Sequence, residues 1–437
     1  MIRVELYVLY PKEMTSKTGK APVVRLDQNG PSLAKLGPKK RATRNTESSA
    51  KVFSSALRSS LSRRKVLSKT SVVDDDVVVV VVDDDDDVCE DLLVSTESHV
   101  FSTSPASTEK FEVVRVRCEN AHANADDDDD DDDDDEKLRR KQKNQRKNVH
   151  VFMVPGNPGV AQYYEEFARE IAAEIVRMNI SRVRRVEIEC IGFVGHYVDE
   201  RLSSNAKEWF TLEEQKKNVL EYVRKRVEEN DEREESVSIE RTEHYLVGHS
   251  IGAHVAIHCL HVMDEADTTI RKCVGLMPFL HVNERSKTQR RLAFLVSLKF
   301  LVRVVAKILH VLRNTKFLQN FFTKGMEKGS QGYVTTLKWA REQSFINMAF
   351  MGDTEFKFLK DWKRDVDDVI RKSGKKISLL YANDDHWAPL WQKEKLADQM
   401  GITIVHDESE NYKHAFVLDR ESSRRLAIQC AKLLIVD

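Results

Sequence analysis

The chain lacks a strong net charge. Its 70 Lys and Arg against 71 Asp and Glu leave a formal −1 at neutral pH, which excludes the global basic field that a nucleic-acid partner would call for. It has only six cysteines, Cys89, Cys118, Cys190, Cys259, Cys273 and Cys430, with no CxxC pair and no histidine cluster beside them. Neither a disulfide frame nor a zinc site is expected. The thiols read as the reduced cysteines of an intracellular protein. No run of about 18 uncharged apolar residues occurs, which excludes a simple membrane-spanning helix. The apolar start, Met1 to Pro11, is interrupted by Arg3 and Glu5 and does not make a secretory signal.

Charge is instead distributed in blocks. Residues 33–70 are rich in Ser, Lys and Arg, with Glu47 the only acid, and read as a solvated basic segment. Six valines at 77–82 stand between aspartates, and ten consecutive aspartates at 126–135 run through Glu136 into a basic stretch ending at Lys147. Like charges in a row repel and build no core. We therefore expect a disordered, low-complexity extension over 1–109 and an acidic/basic loop insertion over 119–147 within a domain spanning 110–437.

Within that domain, strand and helix patterns alternate. Strand-like segments lie at 111–118, 149–154, 186–191, 245–247, 272–277, 377–381 and 402–405. Helical spacing occupies 165–178, 212–229, 253–261 and 422–434. The simplest arrangement of the first two strands is a β-hairpin whose turn carries the acidic insertion. Alternating β and α implies a doubly wound, mostly parallel sheet.

The chemistry concentrates at Gly248-His249-Ser250-Ile251-Gly252. G-x-S-x-G between a strand and a helix is the setting of a nucleophile elbow, in which the turn is too tight for a Cβ at 248 or 252 and lifts the Ser250 hydroxyl above the sheet. A serine nucleophile needs a base, and the base needs an orienting carboxylate, in the chain order Ser, Asp, His for this architecture. Asp384 and Asp385 follow the strand at 377–381 and His414 follows the strand at 402–405. Both loops lie at C-terminal strand ends, where open α/β sheets place their sites. Asp385 is the preferred carboxylate. For the oxyanion, one donor is the Ile251 amide. The second comes from Pro155-Gly156-Asn157-Pro158-Gly159, where Pro158 has no N–H. This leaves Gly156, Asn157 or Gly159, and Asn157 is favoured. No metal or cofactor is called for.

These same residues resemble the lipid droplet-associated hydrolases, a branch of the α/β-hydrolases. The likeness rests on Val154-Pro155-Gly156-Asn157-Pro158-Gly159, Gly192-Phe193-Val194-Gly195-His196 and Gly248 to Ala253. It also rests on Tyr381 with Asp385-His386-Trp387-Ala388-Pro389, and on His414-Ala415-Phe416. It covers roughly 110–437. The chain departs from the pattern in its N-terminal extension, in the 119–147 insertion and in Ala382, where the family has Gly. The resemblance implies an α/β-hydrolase fold, triad roles for Ser250, Asp385 and His414, and action on neutral lipid or sterol esters. It also implies a place on lipid droplets and the endoplasmic reticulum.

Between 281 and about 345 lies a segment that the sheet does not need, expected as a helical cap. At about 100° per residue, Lys299, Arg303, Lys307 and His310 fall within an arc of roughly 80°, and the remaining circumference of 292–312 is almost wholly apolar. Two packings fit this pattern: a helix lying in a lipid interface with snorkelling basic chains, or a buried cap helix with one wet stripe. The resemblance favours the lipid surface, with a neutral lipid ester as substrate, no nucleic acid and no identified protein partner. Two other functions suit the same residues, a weakly catalytic lipid-droplet organising protein and a soluble esterase or thioesterase for smaller acyl groups.

Overall fold

A computed structural model describes residues 92–102, 110–120, 147–178, 182–199, 202, 209–237, 241–266, 270–361, 368–397 and 401–435. The basic segment, the valine and aspartate runs and most of the 119–147 insertion lie outside the described residues.

Eight strands form one sheet in the order β1-β2-β4-β3-β5-β6-β7-β8. They are β1 (Leu92–Ser102), β2 (Lys110–Asn120), β3 (Lys147–Val154), β4 (Val183–Ile191), β5 (Thr242–His249), β6 (Ile270–Leu276), β7 (Ile377–Tyr381) and β8 (Thr403–His406). The six strands from β4 to β8 in this order pair in parallel, and β1 and β2 add an antiparallel edge. Helix α1 (Glu165–Met178) packs with α11 (Arg420–Ile435) against β2, β4 and β6. Helices α2 (Leu212–Val237), α3 (Ile251–Glu265) and α9 (Asp368–Ser373) form a second group around β5 and β6. Between these layers β7 is buried at every position, as a parallel strand covered on both faces requires.

Two expectations are corrected at the sheet edge. β2 and β3 do not form a hairpin, because β4 lies between them. The register explains why. Arg115 stands opposite Glu189 and Arg117 opposite Glu187, with nitrogen–oxygen distances of 2.7 and 3.0 Å. The alternate residues Val114, Val116, Val186 and Ile188 turn to the core. β3 and β4 instead form a parallel β-α-β unit through α1, the crossover that a twisted sheet favours. The sheet also begins earlier than residue 109. Leu92–Ser102 pairs along its length with β2, so this part of the expected extension belongs to the domain.

Between β6 and β7 the chain adds α4 (Lys287–Ser297), α5 (Lys299–Leu312), α6 (Lys316–Phe322), α7 (Gln331–Trp339) and α8 (Glu342–Phe358) ahead of α9. The helices inserted here thus run past 345, the expected end of the cap, to Phe358 at the end of α8. The single helix read over 292–312 is two helices. Leu298 leaves helical geometry at φ −81°, ψ 67°. The capping sequence Ser286-x-x-Gln289 starts α4, with the Ser286 hydroxyl accepting from the Gln289 amide. α4 and α5 both pack on α8. The last helix, α10 (Leu390–Ala397), follows β7. Among the described residues, no helix is long and apolar enough to cross a membrane. Cys118, Cys190, Cys259, Cys273 and Cys430 are free and buried. This mostly parallel, doubly wound sheet with a tight turn after β5 is the α/β-hydrolase architecture.

Candidate active site

Ser250 sits between β5 and α3 at φ 54°, ψ −123°, a left-handed conformation that an L-residue holds only when its surroundings enforce it. Its N–H donates to the Leu276 carbonyl at 3.0 Å and its carbonyl accepts from Phe279 N–H at 3.0 Å, which pins the turn to the end of β6. The flanking glycines have no alternative. A Cβ on Gly248 would stand 2.3 Å from the Gly252 carbonyl oxygen, and one on Gly252 would stand 2.3 Å from that of Val154.

The loops after β7 and β8 converge on this serine. His414 Nε2 lies 2.9 Å from Ser250 Oγ, and His414 Nδ1 lies 2.7 Å from Asp385 Oδ2. With its proton on Nδ1, the imidazole donates to Asp385 and leaves Nε2 to accept from the Ser250 hydroxyl. Asp385 Oδ1 accepts from the Trp387 N–H at 2.8 Å. Burial alone would raise the Asp385 carboxyl. The His414 imidazole beside it and the Trp387 and Ala388 amides outweigh burial and hold it below the usual carboxylate range. The neighbouring Asp384 adopts φ 51° in the turn, and the contact to His414 is made by Asp385. Trp387 lies edge-on to Phe279 with centroids 5.2 Å apart and near Phe356 at 6.0 Å, giving an aromatic surface beside His414.

The Pro155–Gly159 loop lies against the elbow, since a Cβ on Gly156 would be 3.0 Å from that of Ser250. Its donors can be sorted one by one. Gly156 N–H is taken by Tyr164 Oη at 2.9 Å, and Gly159 N–H by the Gly156 carbonyl at 2.6 Å. The Asn157 N–H has no acceptor among the described residues. Of the loop's three candidate amides, it is the one that no described acceptor takes up. The first amide of α3, that of Ile251, also has no acceptor in the helix, as expected at an N-terminus.

The loop is held by residues outside the triad. The Tyr164 hydroxyl accepts from Gly156 and donates to His249 Nδ1 at 2.6 Å, which joins the loop to the elbow. Burial keeps His249 neutral by pushing it well below the ordinary histidine range. His196 Nδ1 donates to the Pro158 carbonyl at 2.7 Å, and burial lowers that imidazole to about 4. The Asn157 side chain turns away from Ser250. Its Nδ2 donates to the Met348 carbonyl and to Glu355 Oε1, both at 3.0 Å and both on α8. Burial pushes the Glu355 carboxyl up to about 8 despite the Asn157 bond, which lowers it. His196 and His249 fell inside the motifs quoted above. Tyr164, just ahead of α1, and Glu355, on α8, carry no local signal.

On β3 and β4, His150, Glu187 and Glu189 bring ligand atoms within 4.8 Å of one another. Guanidinium groups already occupy both carboxylates. Arg115 reaches Glu189 at 2.7 Å, and Arg226 reaches Glu189 at 3.1 Å and Glu187 at 3.4 Å. Cations in those positions make this an ion-pair network and an unfavourable metal site.

On the cap, the expected basic stripe divides its roles. Lys299 Nζ lies over the Trp209 ring at 4.8 Å and the Arg303 guanidinium lies 5.5 Å from the Phe350 ring of α8, whereas among the described residues no ring contact accompanies exposed Lys307. Buried Ala306 marks the packed side of α5. The opposite side is apolar and open, with Phe300 81% and Val311 70% exposed. Phe294 on α4 and Phe317 on α6 are 63% and 80% exposed. Large apolar side chains this exposed on three successive helices suit an interaction surface.

A family model for lipid-droplet associated hydrolases matches residues 147–417. The chain is 22% identical over 301 residues to the lipid droplet-associated hydrolase of Dictyostelium discoideum, covering 66% of this chain and 88% of that one. It is 22% identical over 280 residues to the Drosophila melanogaster protein of the same name, covering 61% and 83%. Among solved structures it is similar to the peroxisomal alpha-beta-hydrolase Lpx1 of Saccharomyces cerevisiae, at 11% identity and a TM-score of 0.44, over 78% of this chain and 90% of that one.

Proposed function

Because the chain belongs to the lipid-droplet associated hydrolase family, we propose that it is a serine ester hydrolase acting on neutral lipid or sterol esters at a lipid surface. The observation that carries this reading is the bridge made by His414, 2.9 Å from Ser250 Oγ on one side and 2.7 Å from Asp385 on the other. Ser250 Oγ attacks the ester carbonyl while His414 Nε2 takes its proton, and ionised Asp385 steadies the imidazolium. The tetrahedral oxyanion falls to the amides of Ile251 and Asn157. The carbonyl reforms as the alcohol departs with the proton from His414. Water, deprotonated by the same imidazole, then releases the fatty acid.

The lipid-surface part of the reading rests on the open apolar sides of α4, α5 and α6. An amphipathic helix inserts its apolar side among acyl chains while basic side chains reach the headgroups. With Lys299 and Arg303 beside aromatic rings and Lys307 exposed, α5 has that layout. It suits the cytosolic face of lipid droplets or of the endoplasmic reticulum, with a role in lipid storage and turnover.

A fluorophosphonate probe tests the chemistry. The wild-type chain is expected to label and Ser250→Ala to be blank. Equal labelling of both, or of neither, defeats the serine mechanism. If Ser250→Ala also leaves neutral-lipid content in cells unchanged, the alternative of a lipid-organising protein gains.

A further inference from the structure

The chain as a whole is close to neutral, but its cap is not. Between Glu284 and Glu327 there are ten Lys and Arg and no Asp or Glu. This stretch is also where the open apolar residues lie. On α4, buried Gln289 and Val296 mark the packed side. At about 100° per residue, Lys287 and Arg290 fall with Phe294 on the opposite side. On α5, Lys307 stands at the border of the face that carries Phe300 and Val311. Lys316 precedes Phe317 in the first turn of α6. Lys287, Arg290, Lys307 and Lys316 are all exposed, and no carboxylate among the described residues pairs with them.

From this charge complementarity we infer that the cap docks selectively on anionic phospholipid, its apolar side chains entering the acyl layer while Lys287, Arg290, Lys307 and Lys316 meet negatively charged headgroups. The inference rests on the lipid-surface reading above and adds the headgroup charge to it. Two features on the page favour an anionic over a zwitterionic surface. First, the cations surround the apolar residues on three successive helices and so form a field in place of a single contact. Second, the absence of any acid over the same stretch leaves that field uncancelled within it. A basic residue near an anionic membrane strengthens binding by about fivefold at physiological ionic strength. Four of them turn a weak hydrophobic association into a selective one.

The test uses the full chain and oil droplets coated either with phosphatidylcholine alone or with phosphatidylcholine containing phosphatidylserine, read by flotation. The wild type is expected to bind the anionic droplets at least about tenfold more tightly, with the advantage shrinking as salt rises because the Debye length contracts. Changing Lys287, Arg290, Lys307 and Lys316 together to Gln should remove that advantage and leave binding to neutral droplets in place. The matching change of the three lysines to Arg should keep it, which separates charge from folding. Equal, salt-insensitive binding to both coats overturns the headgroup inference and spares the lipid-surface reading. Binding to neither coat overturns the lipid-surface reading itself. Binding to duplex DNA as tight as to the anionic droplets overturns the assignment of the cations to a lipid surface.

Discussion

Glu355→Gln should make the protein more stable at high pH and nearly unchanged at low pH. Glu355 is buried on α8 and bonded through Oε1 to the Asn157 side chain. Burial, only partly offset by that bond, raises its carboxyl from the ordinary 4.5 to about 8. A carboxyl raised in the fold favours the fold in its protonated form. Its contribution is fully present below the unfolded value and is lost as pH climbs through the folded value. The gap of about 3.5 between the two values, at about 1.4 kcal/mol per pH unit, sets a ceiling of roughly 5 kcal/mol on the stability lost between about pH 4.5 and pH 8. Glutamine keeps the size and an amide oxygen to accept from Asn157 Nδ2, but it has no proton to lose. Urea denaturation of both proteins at about pH 5, 7 and 9 measures the difference directly. The variant should match the wild type within about 1 kcal/mol at the acid end and exceed it by several kcal/mol at the alkaline end. A wild-type-minus-variant difference that stays flat across this range would refute the claim that Glu355 is neutral in the fold.

Four further changes probe the site. Gly252→Ala should abolish soluble folded protein or activity, because the new Cβ has backbone oxygens at 2.3 and 2.4 Å. Gly352→Ala on α8, whose Cβ would meet Asn157 Nδ2 at an ordinary 3.7 Å, should instead hold or raise the melting temperature, in line with a helix-propensity gain of up to about 1 kcal/mol. Tyr164→Phe leaves Gly156 N–H and His249 Nδ1 without their shared hydroxyl. It should cost about 1–3 kcal/mol of stability by denaturant titration and lower kcat on a soluble ester more than it alters KM. Asp385→Asn should reduce kcat by roughly 10⁴-fold with KM little changed, because an amide no longer holds His414 in the Nδ1–H tautomer. Steady-state kinetics showing the loss in KM alone would remove Asp385 from the orienting role.

What could be read from the chain was what local sterics dictate. The Gly248 to Gly252 turn is legible because its geometry admits no Cβ, and Asp385 and His414 are legible because each follows a strand in the expected order. Residues whose meaning depends on a distant neighbour were not. β1 (Leu92–Ser102) mixes Ser, Thr, Glu and His with a few apolar residues and makes sense only once β2 offers it an edge. β2 itself looked like the partner of β3, since nothing local reveals that Arg115 and Arg117 find Glu189 and Glu187 on β4. Leu298 interrupts a stretch whose composition is helical throughout. Glu355 is a common helix residue in the sequence, and its character comes wholly from the burial that α8 imposes on it.

The placement of α8 ties the two halves of the proposed function together. The amide proposed to meet the oxyanion belongs to Asn157, and that residue's side chain is fastened to Met348 and Glu355 of α8. Tyr164 and His196 hold the same loop from the domain side, at Gly156 and Pro158. The loop is thus clamped between the sheet and the cap. α8 also carries α4 and α5, the helices whose open sides hold Phe294, Phe300 and Val311. An oxyanion donor is effective only when it is set before the charge develops. A cap that moved independently of the sheet would therefore disturb Asn157 as well as the lipid contact. In this geometry the surface proposed to find the substrate and the amide proposed to stabilise its transition state share one support, so substitutions in the α8 packing should alter kcat even on esters too small to need the lipid surface.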